Sequence, residues 1–194
     1  IAYLNRHCGG KLDALINNAG AVSRWYTTAE EGYEQQFAVN HLSGFLLTHL
    51  LMEALIRGGG RVLITGSGSH RHCRVHWDDV MYQRRRYSLL GAYKQSKLCS
   101  LLFAAEFNRR HLAQGVRAYV VDPGLVSTDI GFKQTGGLPK LVWAMRKAQG
   151  TAPEVPAKTY AYLCAAPEGE TELYYYACKP APYDRHAKNA ADQR

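Results

Sequence analysis

The sequence predicts an α/β fold built around a parallel sheet. Short apolar runs bounded by Gly, Pro, Asn or Ser read as buried strands, and longer amphipathic stretches that read as helices separate them. Such alternation is typical of parallel sheets. The 194 residues suffice for one domain with a sizeable core. Strands are predicted at 12–17, 61–66, 117–122 and 172–177, and helices at 29–56, 90–112, 138–149 and 153–165.

The predicted strands end in turn-forming or small polar residues. The first runs into Asn-Asn-Ala-Gly at 17–20, and the second ends just before Ser67. The third ends in Asp-Pro-Gly at 122–124. Ligands of α/β sheets bind beyond such strand ends. The glycines at 58–60 follow a helix and precede a strand, so they are predicted to cap the helix rather than to cradle a phosphate.

Tyr93 and Lys97 are the most informative residues of the predicted helix 90–112. Four residues apart on a helix, they share one face. A nearby ammonium favours the phenolate, and a phenol tuned in this way can exchange a proton with an alcohol or ketone. A second Tyr-x-x-x-Lys pair, Tyr175 and Lys179, falls in a predicted strand and is interpreted as a chance occurrence.

Together these motifs resemble the short-chain dehydrogenase/reductase family over nearly the whole chain. The residues in order are Asn-Asn-Ala-Gly at 17–20, Asn40, Ser67, Tyr93 with Lys97, and Pro-Gly-x-Val-x-Thr at 123–128. The Val39–Phe45 segment, His70 after Ser67, and the long spacing from Ser67 to Tyr93 resemble the retinol-dehydrogenase-like branch. The resemblance implies a single domain over 1–194 with part of a Rossmann-like doubly wound sheet, comprising its fourth to seventh strands.

The resemblance also implies roles for four candidate catalytic residues. Tyr93 would be the general acid/base, and Lys97 would lower the pKa of Tyr93 and bind the nicotinamide ribose. Ser67, rather than its rival Ser69, would hold the substrate oxygen. Asn40 would kink its helix around a water and connect Lys97 to solvent for proton relay. Asparagine also suits a helix N-cap, which is the alternative role for Asn40.

The implied cofactor is NADP or NAD, with NADP favoured by the resemblance. Residues 131–166 are expected to form a substrate lid, whose apolar side chains favour a hydrophobic alcohol or carbonyl substrate. The cofactor-binding candidates are Asn17, Ala19, Gly20, Tyr93, Lys97, Pro123, Gly124, Val126 and Thr128. The apolar lid residues are Phe132, Leu138, Leu141, Trp143 and Met145.

The glycine-rich turn with which the family begins does not occur in this sequence. We therefore expect an interior segment of a parent of about 300 residues, in which three further strands pair with the strand at 12–17. Unpaired, that edge favours aggregation. The alternative function is a non-enzymatic scaffold or inactive remnant that has lost its cofactor-binding half.

Composition narrows the remaining possibilities. The net charge is +8, and basic residues cluster at 70–74 and 84–86, which are interpreted as a solvated loop. Nucleic acid is not an expected partner, whereas contact of these clusters with an anionic membrane surface is an open alternative. The His and Cys residues at 70–76 lack the ligand spacing of metal sites, so no metal is expected. Five scattered cysteines favour a reducing, intracellular and cytoplasmic location. The two long helices form a dimer face in many family members, so a homodimer is a further expectation.

Overall fold

A computed structural model describes residues 1–126, 150–165 and 171–188 of the chain. Within these ranges the strands form one sheet in the order β1-β2-β3-β4-β5. All neighbouring strands pair in parallel except β4 and β5, which form an antiparallel hairpin. The bounds are β1 Ala14–Asn17, β2 Arg61–Thr65, β3 Arg117–Asp122, β4 Tyr174–Tyr176 and β5 Lys179–Pro180. The α/β class and the four longer strands are as predicted, and the two-residue β5 is an addition.

The central strands carry apolar side chains on both faces because helices cover both faces of the sheet. Val62 and Val120 pack with α5 (Leu89–His111) in the larger core cluster. Leu63 and Val121 point the other way, against Leu163 of α6 (Glu154–Ala165). Side chains buried on both faces explain why β2 and β3 read as uninterrupted apolar runs.

The helix predicted at 29–56 begins later and is broken. The Glu34 carboxylate accepts hydrogen bonds from the backbone N–H groups of Gln36 and Phe37, and so caps the helix start. The segment then comprises α2 (Gln35–Phe37), a π-helical turn (Ala38–Leu42), α3 (Ser43–Leu50) and α4 (Met52–Gly58), bent by 63° at Leu51. Residues Gln35–Leu50 and Met52–Gly58 together have the length and apolar composition of a membrane span, as a bent pair, whereas no single helix within the described ranges has them.

The remaining helices agree closely with prediction. Ser88 caps α5 by accepting a hydrogen bond from Gly91 N–H, and a short α1 (Ala2–His7) precedes β1. Gly59 adopts the left-handed conformation (φ 59°) that ends α4, as predicted for the glycines at 58–60. The predicted helix at 138–149 lies outside the described residues. β1 occupies the edge of the sheet, and its Ile16 side chain is exposed.

The basic segment between Ser67 and Tyr93 is only partly solvated. Arg84 is exposed, but the Arg85 guanidinium lies 3.6 Å from the Tyr82 ring centroid and its Nε lies 3.6 Å from the Asp79 carboxylate. Asp79 also accepts hydrogen bonds from three consecutive backbone N–H groups at residues 83–85. Asp79 therefore organises the segment, which sequence reasoning interpreted as a plain loop.

Candidate active site

The C-terminal ends of β1, β2 and β3 meet at one edge of the sheet, and the predicted site residues gather there. Ser67 follows β2 by two residues, in an extended conformation that begins a 3-10 turn (Gly68–His70). Tyr93 and Lys97 approach this edge from the first turns of α5. The fold thus brings Ser67, Tyr93 and Lys97 together from segments 26 to 30 residues apart in sequence.

Tyr93 and Ser67 interact directly. Burial raises the pKa of Tyr93, a hydrogen bond with the Ser67 side chain lowers it, and the Asp122 carboxylate raises it; the net direction is upward. Ser67 Oγ also accepts hydrogen bonds from Ser69, at 2.9 Å from its hydroxyl and 3.3 Å from its backbone N–H. Ser69 therefore supports Ser67, and Ser67 is the serine that contacts the phenol.

Lys97 is buried beside Tyr93. Its Nζ donates a hydrogen bond of 2.8 Å to the backbone carbonyl of Thr65, and lies 5.8 Å from the Tyr93 ring centroid. Burial lowers the pKa of Lys97 to about 8. The pKa of Tyr93 is raised overall, chiefly by burial, and the expectation that Lys97 lowers it stays a prediction.

Asn40 lies in the π-helical turn and is buried. Its Oδ1 accepts a hydrogen bond of 2.7 Å from Ala21 N–H, while its Nδ2 donates to Ala21 O and to Ser96 Oγ, each at 3.0 Å. The side chain thus joins the loop after β1 to the residue preceding Lys97. Glu34 takes the capping role that was the alternative for Asn40. The proton relay through Asn40 stays a prediction.

In the Asn-Asn-Ala-Gly segment, the side chain of the first asparagine, Asn17, bonds to a neighbouring helix. Asn17 Nδ2 donates to Thr48 Oγ1 at 3.0 Å, which fixes β1 against α3. Ala19 is exposed and Gly20 is half-buried at the same edge. A cleft of about 160 Å³ opens between the end of β1 and α3. Ala19 lines this cleft, so the segment is placed to form one wall of a ligand-binding site.

The Pro123-Gly124 turn completes the edge after β3. Gly124 has φ 67°, and an added Cβ would lie 2.9 Å from the Tyr176 ring, so glycine is needed there. Gly124 N–H donates to the Asp122 carboxylate at 2.9 Å. Val126 pairs with Thr151 through an isolated parallel bridge. Thr128, and residues 131–149 and 166 of the expected lid, lie outside the described residues, whereas residues 154–165 of that lid form α6, which packs on the sheet.

Two polar groups of the site were missed by sequence reasoning. Asp122 accepts a hydrogen bond of 2.8 Å from the Tyr174 hydroxyl, and Tyr160 lies within 2.6 Å of Thr65 Oγ1. A polar residue at the carboxyl end of a strand is the signal that could have indicated Asp122. Nothing local marks Tyr160, because its partner is 95 residues away. The described ranges contain no cluster of three or more His, Cys, Asp or Glu side chains suited to a metal.

Comparison with known proteins gives consistent matches. The family model described as short chain dehydrogenase matches residues 2–136. Human retinol dehydrogenase 13 is 36% identical over 168 residues, which cover 81% of this chain and 49% of that protein. Mouse retinol dehydrogenase 12 is 36% identical over 182 residues, covering 92% and 57%. The chain thus spans about half the length of the curated relatives that it matches.

A solved structure agrees in fold. The 3-alpha-hydroxysteroid dehydrogenase from Pseudomonas sp. B-0831, solved in complex with NADH, superposes with a TM-score of 0.70. It is 25% identical, and the match covers 91% of this chain and 75% of that one. The parallel sheet described above is therefore of the Rossmann-like type.

Proposed function

Because this chain belongs to the short-chain dehydrogenase family, in its retinol-dehydrogenase-like branch, we propose that it forms the catalytic part of an NAD(P)-dependent oxidoreductase. The reaction would interconvert an alcohol and a carbonyl compound. One observation carries the proposal: Ser67, Tyr93 and Lys97 converge at the carboxyl edge of the sheet, with Tyr93 hydrogen-bonded to Ser67 and Lys97 buried beside Tyr93.

In the direction of reduction, Tyr93 would donate its phenolic proton to the carbonyl oxygen, while a bound nicotinamide cofactor would supply the hydride for the carbonyl carbon. The products are an alcohol, an oxidised nicotinamide and a tyrosinate that is reprotonated from solvent. Ser67 holds the same oxygen by a hydrogen bond. The pKa of Tyr93 is raised, so the phenol is protonated at neutral pH and carries the proton that this step transfers.

Lys97 fits the position of a ribose-binding group. Among the described residues its Nζ donates one hydrogen bond, to Thr65 O, so two of its three N–H bonds remain for a ligand. Because the ammonium is buried, a polar ligand that accepts its remaining hydrogen bonds would be bound favourably. Ala19, Gly20 and Gly124 lie along the same edge and are proposed to contact the cofactor, with NADP favoured over NAD.

The proposed substrate is a hydrophobic alcohol or aldehyde. The named relatives are retinol dehydrogenases, so retinal and retinol are the first probes to use. The apolar segment at 131–149 is proposed to cover the substrate.

We also propose that a second copy of the chain covers the apolar side of α3. Phe45, Leu46, Leu47 and Leu50 are all exposed on this helix. Light scattering should report a dimer that Leu46→Glu dissociates, while Lys11→Glu, an exposed site before β1, leaves it intact. A monomer in both cases would remove this part of the proposal.

The cofactor test is a fluorescence titration of NADPH and NADH into this chain, and into a form extended upstream by a glycine-rich strand-turn-helix unit. Binding followed by reduction of retinal supports the proposal. Tyr93→Phe should then lower kcat by about 100-fold or more, whereas Tyr33→Phe, on an exposed side chain, should not. If neither form binds either nucleotide, the scaffold interpretation replaces the oxidoreductase.

A further inference from the structure

The position of Ser67 depends on its turn rather than on the sheet. The last ladder hydrogen bond of this strand runs from Gly66 N–H to Val121 O at 2.7 Å, one residue before Ser67. Beyond it, the Ser67 carbonyl accepts a hydrogen bond of 3.2 Å from the backbone N–H of His70 and lies 2.6 Å from the His70 Nδ1 atom. Both contacts to this carbonyl therefore come from one residue.

The environment of His70 fixes which ring nitrogen carries the proton. Its side chain is buried, and its Nε2 accepts a hydrogen bond of 3.2 Å from the backbone N–H of Asp184. A neutral imidazole that accepts at Nε2 must donate at Nδ1. The Nδ1–H group therefore points at Ser67 O.

The His70 ring also packs against a residue of the neighbouring sheet. It packs edge-on against Tyr174, with ring centroids 5.1 Å apart, and the Tyr174 hydroxyl donates to Asp122 at 2.8 Å. Asp122 in turn lies close to the turn, since a Cβ added at Gly68 would be 3.1 Å from its Oδ2. The residues that support the turn are therefore the last residue of β3 and the first residue of β4.

We propose that His70 is a positioning residue for Ser67, and that through His70 the C-terminal segment 181–188 sets the distance between Ser67 and Tyr93. Two further contacts join the turn to this segment: Arg71 donates to Pro182 O at 2.8 Å, and His72 N–H donates to Asp184 at 3.3 Å. The inference rests on the proposed function, in which Ser67 binds the substrate oxygen.

His70→Phe tests the proposal, because phenylalanine keeps the ring packing on Tyr174 and removes both ring hydrogen bonds. In the cofactor-binding form assayed with retinal and NADPH, kcat should fall by about 10- to 100-fold while the Kd for NADPH stays the same. His70→Gln, whose amide can donate and accept, should recover part of the loss. His76→Phe, on an exposed side chain, is the matched control.

A double-mutant cycle separates positioning from general damage. If His70 acts through Ser67, His70→Phe should change kcat by less than about twofold in a Ser67→Ala background. Equal losses in both backgrounds, or no loss in either, would overturn the proposal. If Ser67→Ala itself leaves kcat unchanged, the role assigned to Ser67 fails instead.

A measurement without cofactor tests the geometry itself. Nitrogen-15 spectra of histidine-labelled chain should show a neutral imidazole protonated at Nδ1 whose signal is present in the unmodified chain and absent in His70→Gln. An Nε2-protonated tautomer at His70 would contradict the hydrogen bond to Ser67. This result stands whether or not the protein reduces retinal, so it also covers a His70→Phe variant that does not fold.

Discussion

Replacing Asn40 by alanine should destabilise the chain by about 2–4 kcal/mol. The substitution removes one hydrogen bond from Ala21 N–H and two donated by Nδ2, to Ala21 O and Ser96 Oγ. A buried polar group left without a partner costs about 1–3 kcal/mol. Ala21 loses a partner for both backbone groups, and its partial burial lets water recover some of that cost.

Urea unfolding followed by circular dichroism near neutral pH measures this loss. Asn40→Asp should be nearly as damaging, because it keeps the acceptor for Ala21 N–H but turns an oxygen toward Ala21 O. Ser43→Ala is the matched control: the Ser43 side chain is on the same helical segment, donates only to Val39 O and is exposed, so about 0.5 kcal/mol or less is expected.

A loss below about 1 kcal/mol for Asn40→Ala would refute this reasoning. It would mean that the amide does not join the loop after β1 to α5. The relay role would then be the remaining function for Asn40. If the loss is as large as expected, any fall in activity must be compared per folded molecule before a relay is invoked.

Three further predictions concern buried groups near the site. An alanine at Gly66 would place its Cβ 2.5 Å from Val120 Cγ1, so Gly66→Ala should lower the free energy of unfolding by about 1–3 kcal/mol. Val120→Ala in the same chain should restore part of the Tm, and an unchanged Tm in Gly66→Ala would contradict the close packing at this position. Burial lowers the pKa of His41 from 6.5 to about 4, so the unfolded state binds a proton at higher pH than the folded state does. About 3 kcal/mol of stability should therefore be lost as the pH falls from 6.5 to 4. Urea titrations of His41→Leu should not show this dependence of stability on pH. Burial lowers the pKa of Lys97 from 10.5 to about 8, so the charged Lys97 side chain destabilises the folded state near neutral pH. Lys97→Met should therefore raise the free energy of unfolding by up to about 3 kcal/mol at neutral pH while it abolishes activity. This gain should disappear as the pH rises to 10.5, and a loss of stability at neutral pH would contradict the prediction.

The strands could be predicted from sequence because burial on both faces leaves a clear record. β3 has the predicted bounds, 117–122, and its interior residues are all buried. The helix around Asn40 could not be placed as well. Its start depends on the Glu34 carboxylate, which is buried, and its π-helical turn and the break at Leu51 follow from tertiary packing that apolar periodicity does not record.

The candidate site divides in the same way. Ser67, Tyr93 and Lys97 could be placed at one edge because each follows from a strand end or a helical spacing. The support beneath Ser67 could not, because His70 bonds a residue 114 positions away and Tyr174 bonds one 52 positions away. In the sequence, His70 was noted as a mark of the family branch and as part of a basic loop, and neither observation indicates its buried position, which comes from the fold.

Burial shifts the pKa values of Tyr93 and Lys97 in opposite directions, and both shifts favour the uncharged form. A phenol whose pKa is raised stays protonated to higher pH and is a weaker proton donor than an ordinary tyrosine. With a pKa of about 8, Lys97 is still largely protonated at neutral pH, and an anionic group bound against it would raise this pKa and keep the ammonium charged at higher pH. A charged ammonium whose Nζ lies 5.8 Å from the Tyr93 ring centroid would then lower the pKa of the phenol. Above about pH 8, where Lys97 loses its proton, the proton affinity of Tyr93 should therefore depend on what binds beside Lys97.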